Sequence, residues 1–330
     1  MRIQILCTAA ALLVFPVASR AASCTAQGEL LPQDRDALVA AGGRLSEAVA
    51  HGDYSTLLTA LLPAEKAAWA GIRDAVEDAE PLVKGGQAQL RNVYLLDATS
   101  LAAPADTQFF CINKDGSLTV TIGMRALPPG RYALVLADAA GAALGGQWGL
   151  ILAWDGGGSG DEAGWKLAGL SVRQGNFNGH DGVWYWARAR ELAKEGQPWS
   201  AWYSYDAARY LQVPVDFISS KNLEKLASEQ SQIKGSPQDA FPYTLHDGDR
   251  VWKIDAVRLD ATLHEPDLGV AYESTGVTDP AAMHTEAIAV MSALLKAQPG
   301  LRQNYHGLWA YAVKDGKRTP VMELPMGQIP

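Results

Sequence analysis

Cysteine is scarce in this chain, which has only three among 330 residues. Cys7 lies in an apolar N-terminal run, so removal of that run would leave Cys24 and Cys111 as an even pair. An even pair in an oxidising compartment predicts one disulfide, between the new N-terminus and a strand over 108–113. The alternative is a lipid on Cys24, although the preceding 21–23 lack the leucine that is usual in lipoprotein signals.

Long hydrophobic runs are also missing, since no stretch reaches the roughly 20 apolar residues that span a bilayer. The apolar run over 5–18 is shorter; Arg2 precedes it, and small residues follow at Ser19 and Ala21. This layout predicts a secretory signal over 1–21, cut after Ala21 or alternatively one residue later. We therefore expect an exported protein, periplasmic or secreted, without a transmembrane segment.

Positive charge is in deficit, with 28 Lys and Arg against 36 Asp and Glu and a net charge of -8. Loss of Arg2 and Arg20 with the signal would make the net charge -10. No basic cluster in the sequence offsets this balance. A surface of this sign repels nucleic acid and anionic lipid, so neither is an expected partner.

Short catalytic motifs are absent from the sequence. There is no G-x-S-x-G elbow, no S-x-x-K and no phosphate-binding loop, and the paired cysteines leave no thiol nucleophile. The six histidines, at 51, 180, 246, 264, 284 and 306, form no H-x-H, H-E-x-x-H or i, i+4 pair. The sequence therefore predicts neither a cofactor nor a metal, and a zinc site would have to be assembled from distant segments.

Residues 22–175 read as helices followed by strands. Apolar periodicity predicts helices over 34–50, 57–62 and 64–83, and about six strands follow between Leu90 and Val172. The last two strands form a hairpin, in which an apolar strand ends at Trp154 and Trp165-Lys166-Leu167-Ala168-Gly169-Leu170 follows a Gly/Asp tip. Three helices before a curved antiparallel meander resemble the NTF2-like fold.

That resemblance implies a cone that binds a ligand or performs acid–base chemistry at its mouth. The family includes isomerases, hydrolases and dehydratases beside many members that only bind or assemble, so the fold alone selects no function. Asp97, Tyr94 and Tyr132 are the candidates for acid–base work, each with an alternative role as an ordinary sheet residue. The resemblance also allows a homodimer through the open sheet face.

The remaining chain divides into a helical segment and a final α+β unit. Helices over 182–194 and 199–211, with small alanines at close-packing positions, resemble one TPR-type hairpin within 176–235. Residues 236–330 predict a β-β-α-β-β unit that packs on this segment, with its helix capped by Asp279.

Aromatic side chains are dense in the helical segment, where we expect a ligand or partner surface. His180 beside Asp181 suggests a proton carrier. Arg188, Arg190 and Arg209, together with Asp206 and Glu191, suggest a groove that clasps a carboxylate. The candidate residues for ligand or partner binding are His180, Asp181, Trp184, Trp186, Arg188, Trp202, Asp206 and Arg209. For each, a structural role as cap, core or surface charge is the stronger interpretation.

A last candidate is calcium at a glycine-rich hairpin tip, between Asp155, Asp161 and Glu162. The spacing does not match a calcium loop, so a solvated tip is favoured. The sequence as a whole favours an α+β, non-enzymatic exported binding or interaction protein of the cell envelope. It also resembles a family of exported bacterial proteins, which implies no activity. The alternatives are an NTF2-like enzyme and a structural envelope component; the partner, protein or small molecule, is left open.

Overall fold

The computed structural model describes residues 22–116, 119–156, 164–276 and 278–330. The predicted signal peptide, and Asp161 and Glu162 of the calcium alternative, lie outside the described residues. Within the described ranges, no helix is both long and apolar enough to cross a membrane.

The chain mixes helices with mostly antiparallel strands, which confirms the α+β class. The helices are α1 (Pro32–Ala50), α2 (Tyr54–Ala60), α3 (Trp69–Val83), α4 (Gly182–Lys194), α5 (Pro198–Gln212), α6 (Lys221–Ser231), α7 (Pro280–Ala297) and α8 (Gly300–Asn304). The strands are β1 (Ser23–Ala26), β2 (Gln87–Asp97), β3 (Ala105–Ile112), β4 (Thr119–Leu127), β5 (Arg131–Ala140), β6 (Gln147–Trp154), β7 (Trp165–Arg173), β8 (Asn176–Phe177), β9 (His180–Asp181), β10 (Ile218–Ser220), β11 (Tyr243–Asp247), β12 (Arg250–Asp260), β13 (Asp267–Glu273), β14 (Gly307–Lys314) and β15 (Lys317–Pro325).

The predicted single meander is instead shared between two sheets, one ordered β1-β2-β5-β6-β7 and the other β10-β4-β3. Strand β2 explains the division. Val93 and Leu95 lie in a core with α1, α2 and α3, whereas Tyr94 and Leu96 lie in a core with β3 and β4. Because successive residues of a strand face opposite sides, β2 is buried on both faces and needs a covering layer on each.

The disulfide between Cys24 and Cys111 is present, as predicted, and joins β1 to β3 with the Cα atoms 4.9 Å apart. It fastens the edge strand of the first sheet to the hairpin of the second. In the disulfide, the Cys24 sulfur has no valence left for a thioether-linked lipid.

The helical segment connects the two ends of the molecule. Helix α4 has its predicted bounds, and the Asp181 carboxylate accepts a 2.9 Å hydrogen bond from the Trp184 backbone N–H at its N-terminus. Strand β10 pairs with β4 of the preceding sheet, while Trp199 and Tyr203 of α5 lie in the C-terminal core. The segment therefore packs on the C-terminal unit, as expected.

The C-terminal sheet has the order β11-β12-β13-β14-β15, with β13 and β14 parallel and the other pairs antiparallel. Strand β11 is an addition to the predicted β-β-α-β-β pattern. Leu268 and Val270 of β13 lie in the core with α7, so the alternating Asp267 and Gly269 belong to the opposite face. Arg258 and Tyr311 line a cavity with Gly269 on that opposite face.

Candidate functional site

The N-terminus of α4 carries an exposed pair of rings. His180 stacks on Trp184 with ring centroids 3.9 Å apart and 13° between the planes. The neighbouring Asp181 carboxylate is occupied by the helix cap. In the predicted His–carboxylate pair, His180 therefore stacks on Trp184, and Asp181 caps the helix.

Trp186, the next candidate, belongs to a hydrogen-bonded cluster around Glu229 of α6. The Trp186 indole N–H donates to Glu229 at 2.8 Å, the Tyr205 hydroxyl donates at 3.2 Å, and Arg190 binds both carboxylate oxygens at 2.8 and 2.9 Å. These donors, the Arg190 guanidinium first, hold the pKa of Glu229 down at about 2. The cluster joins α4, α5 and α6, and Glu229 was not among the predicted residues.

Arg188 and Trp202 are held by neighbouring parts of the protein. Arg188 pairs with Glu191 at 3.3 Å and Glu195 at 3.5 Å, and donates to Asn304 at 3.1 Å. Trp202 is half-buried against the C-terminal core. Both residues therefore have structural contacts that fully account for their positions.

Of the five residues predicted to line a carboxylate-binding groove, Asp206 and Arg209 line a pocket of about 290 Å³, whereas Arg188, Arg190 and Glu191 do not line it. The pocket lies where the last turns of α5 meet the ends of β7 and β12. We call it the arginine groove and define it by Arg173, Asp206, Arg209, Tyr210 and Arg258.

The three arginines of the groove differ in whether their guanidinium groups have partners within the protein. Arg173 pairs with Asp216, donates to the Val213 carbonyl at 3.2 Å and lies 5.8 Å from the Tyr210 ring centroid. Arg209 and Arg258 are exposed, and neither makes an ion pair or hydrogen bond within the described part of the chain. The groove therefore presents two guanidinium groups whose donors are open to a ligand.

Asp206 is the acidic member of the groove. Its carboxylate accepts a 2.6 Å hydrogen bond from the Gln230 amide. Burial raises the pKa of Asp206 to about 6, against the lowering effects of that hydrogen bond and of the Arg209 charge. With this pKa the side chain is mostly ionised at pH 7 and takes up its proton as the pH falls below about 6, so its negative charge offsets the arginines least in mildly acidic solution.

Further depressions continue the groove in both directions. A cavity of about 400 Å³ shares Arg209, Val213 and Asp216 with it and runs toward β4 and α6. On the other side, a cavity of about 300 Å³ shares Arg258 and Leu259 and reaches the open face of the C-terminal sheet. The combined surface fits an elongated ligand better than a compact one.

The acid–base candidates of the N-terminal unit are placed differently. Tyr94 and Tyr132 are buried between the two sheets, and the Tyr132 hydroxyl donates to the Pro128 carbonyl at 3.0 Å. Burial raises the pKa of both hydroxyls. Asp97 accepts hydrogen bonds from the backbone and hydroxyl of Thr99 at 2.9 and 2.6 Å, as a turn residue does.

One set of side chains could hold a metal ion. Asp267, His306 and Glu323 place their ligand atoms within 4.8 Å of one another. They come from three separate parts of the sequence, so no short spacing marks them. The same holds for the groove, because Arg173 and Arg258 lie on strands far from Arg209 along the chain. The sequence carries no local signal that joins the three metal-site residues, or that adds Arg173 and Arg258 to Asp206 and Arg209.

Comparisons with known proteins gave no match: neither a family model, nor a curated protein, nor a solved structure is similar to this chain.

Proposed function

We propose that this protein is an exported, non-enzymatic binding protein that captures a carboxylate-bearing ligand in the arginine groove. The observation that carries the proposal is the pairing of Arg209 and Arg258 in one pocket without ion-pair partners among the described residues. The aromatic helical segment contributes Asp206, Arg209 and Tyr210 to the groove. In this proposal the helical segment contacts the ligand through the last turns of α5 and not through the exposed His180–Trp184 stack.

The charge balance of the chain supports this assignment. Acidic residues outnumber basic ones by 36 to 28, so most guanidinium groups can find a carboxylate within the fold. Arg209 and Arg258 make no ion pair among the described residues and line the same pocket, so both are available to an acidic ligand. A guanidinium fork binds a carboxylate through two parallel charge-assisted hydrogen bonds, which are the strongest hydrogen bonds available to side chains.

The shape of the surface limits the ligand. A pocket of about 290 Å³ accommodates one compact acidic group and a short attachment. The adjoining cavities allow a chain to continue past Arg209 on one side and past Arg258 on the other. A short polyacid, such as an acidic peptide or an oligosaccharide of uronic acids, matches this outline.

Export is part of the proposal. The predicted signal over 1–21 favours it, and the disulfide between Cys24 and Cys111 is compatible with an oxidising compartment. The periplasmic or secreted location remains a prediction, as do the NTF2-like resemblance, the homodimer, the enzyme with acid–base chemistry in a cone and the structural envelope component.

The proposal is tested by titrating the oxidised chain with triglutamate and with triglutamine as its neutral counterpart. We expect triglutamate alone to bind, and Arg209→Gln to weaken it by about 10- to 100-fold, since a charge-assisted hydrogen bond contributes about 1.5–3 kcal/mol. Arg35→Gln on α1 is the matched control, because it removes an exposed arginine outside the groove. Equal binding of both peptides, or equal losses in both variants, would refute the proposal.

A further inference from the structure

Asp267, His306 and Glu323 meet at one edge of the C-terminal sheet, on the face opposite α7. Asp267 begins β13, His306 immediately precedes β14, and Glu323 lies near the end of β15. The parallel pairing of β13 with β14 sets Leu268 opposite Leu308, and the antiparallel pairing of β14 with β15 sets Trp309 opposite Glu323. These registers bring one aspartate, one histidine and one glutamate together from three segments.

The burial of these groups is unusual for acids. Asp267 has no exposed surface, and one of its carboxylate oxygens, Oδ1, lies 2.9 Å from Nδ1 of His306. The other oxygen, Oδ2, is buried without a hydrogen-bond partner, and so is Oε1 of Glu323. A buried carboxylate oxygen without a partner destabilises the fold unless a cation or proton compensates it.

The backbone makes room for the two carboxylates at Gly307. A Cβ atom at this position would lie 2.6 Å from Glu323 Oε1 and 3.1 Å from Asp267 Oδ1. Any residue other than glycine would therefore push the two acids apart. The close approach of two like charges is built into the strand pairing.

We propose that Asp267, His306 and Glu323 bind a divalent first-row transition-metal ion, with Zn²⁺ as the reference ion. Two carboxylates and one imidazole form a donor set that suits such ions, whereas Mg²⁺ and Ca²⁺ prefer oxygen ligands alone. Ligand atoms of a tetrahedral zinc site lie about 3.3–3.5 Å apart at bond lengths of 2.0–2.1 Å. The described atoms, all within 4.8 Å, reach that arrangement by small side-chain shifts.

The electrostatics of the site agree with a missing positive charge. Asp267 and Glu323 approach each other closely at Gly307, and each has a buried carboxylate oxygen without a hydrogen-bond partner. A divalent ion would neutralise both carboxylates and satisfy their orphaned oxygens together. Three protein ligands would leave a fourth position for water or for an acidic group of a bound molecule.

This inference stands on residues outside the arginine groove and does not depend on the proposed function. The two sites nevertheless share one face of the sheet. Tyr311, which donates a 2.8 Å hydrogen bond to Asp260, lines the cavity that continues from Arg258, and Gly269 beside it is two residues from Asp267.

The test is calorimetric titration of the oxidised chain, free of any histidine tag and treated with EDTA, with ZnCl₂, MgCl₂ and CaCl₂. We expect one Zn²⁺ per chain and no comparable binding of Mg²⁺ or Ca²⁺. His306→Ala and Glu323→Gln should each weaken Zn²⁺ binding by at least about 100-fold, because loss of an outer partner alone costs about 10- to 100-fold. His246→Ala and Glu224→Gln are matched controls, since both residues are exposed and outside the cluster.

A second readout separates metal binding from folding. Bound Co²⁺ should give the intense visible absorption of a tetrahedral site in the parent chain and lose it in His306→Ala, while circular dichroism stays unchanged. Asp267 is fully buried, so Asp267→Asn is judged only if the variant folds; the His306 and Glu323 variants decide the matter alone. Absence of stoichiometric Zn²⁺ binding, or retention of it in both variants, would overturn the inference and leave a proton shared among the three groups.

Discussion

The side-chain amide of Gln230 on α6 donates a 2.6 Å hydrogen bond to the carboxylate of Asp206 on α5, beside Arg209. The same amide donates to the Trp202 carbonyl at 3.2 Å, so Gln230 fixes both α5 residues. The hydrogen bond from Gln230 therefore fixes the position of Asp206, the largely buried acid of the arginine groove.

Asp206 should make the protein less stable as the pH rises from about 4 to about 6. Its pKa is raised from 3.8 to about 6 by burial, so the folded chain holds this proton more tightly than the unfolded chain. Asp206→Asn, whose amide oxygen can still accept from Gln230, should match the parent at pH 4. At pH 7 it should be more stable by about 1–3 kcal/mol in urea unfolding.

Asp249→Asn is the control for this measurement, because Asp249 is exposed. Its stability should follow that of the parent across the whole pH range. Parallel curves for Asp206→Asn and the parent would mean that the Asp206 carboxylate is not destabilised by its surroundings.

Glu229 should act in the opposite direction. Its pKa is lowered from 4.5 to about 2, so its contribution is complete above pH 4.5 and is lost as the pH falls toward 2. Glu229→Gln should lower the free energy of unfolding at pH 7 by about 1–2 kcal/mol, after allowance for partial exposure, and the deficit should shrink by pH 3. Glu224→Gln, on the same helix, should cost under about 1 kcal/mol; an equal loss in both variants would argue against the cluster.

Trp184 and Trp202 should differ although both are tryptophans of the helical segment. Trp184 is 41% exposed and contacts His180, whereas Trp202 packs against the C-terminal core. Trp202→Ala should destabilise the chain by about 2–4 kcal/mol, and Trp184→Ala by under about 1 kcal/mol. Urea unfolding with far-ultraviolet circular dichroism compares the two; equal losses would show that the exposed stack also supports the fold.

The disulfide should contribute strongly to stability because it closes a long loop, between residues separated by 87 positions. Replacement of both Cys24 and Cys111 by serine should lower the free energy of unfolding by about 2–5 kcal/mol. Dithiothreitol should destabilise the parent to a similar extent and leave the double variant unaffected. A parent chain that is indifferent to the reductant would contradict a stabilising role for this bond.

Local chemistry in the sequence accounts for much of the secondary structure. Asp181 as a cap sets the start of α4, and Asp279 followed by Pro280 sets the start of α7, where the carboxylate accepts from the Ala282 N–H at 2.9 Å. A cap is a contact over three residues, so a sequence displays it directly. The disulfide is equally easy to predict from the sequence, because loss of Cys7 with the predicted signal leaves only Cys24 and Cys111 to pair.

The layers and the site depend on distant contacts that no short pattern carries. The pattern of β2 predicts a strand but does not say that β3 and β4 cover one of its faces, or that the three-residue β10 joins them. Asp206 and Arg209 are about one helical turn apart on a predicted helix, so the sequence alone indicates that they are neighbours. The sequence does not indicate that Arg258 joins them, because only the packing of β12 beside α5 brings it there.

A double-mutant cycle on Arg209 and Arg258 tests the central claim most directly. Triglutamate affinity is measured for the parent, Arg209→Gln, Arg258→Gln and the double variant at one salt concentration. If both guanidinium groups hold the same acidic group, each single variant weakens binding, and the double variant loses less than the sum, with a coupling of at least about 0.5 kcal/mol. A parent chain that does not bind the peptide, or single variants that bind as well as the parent, would contradict the account.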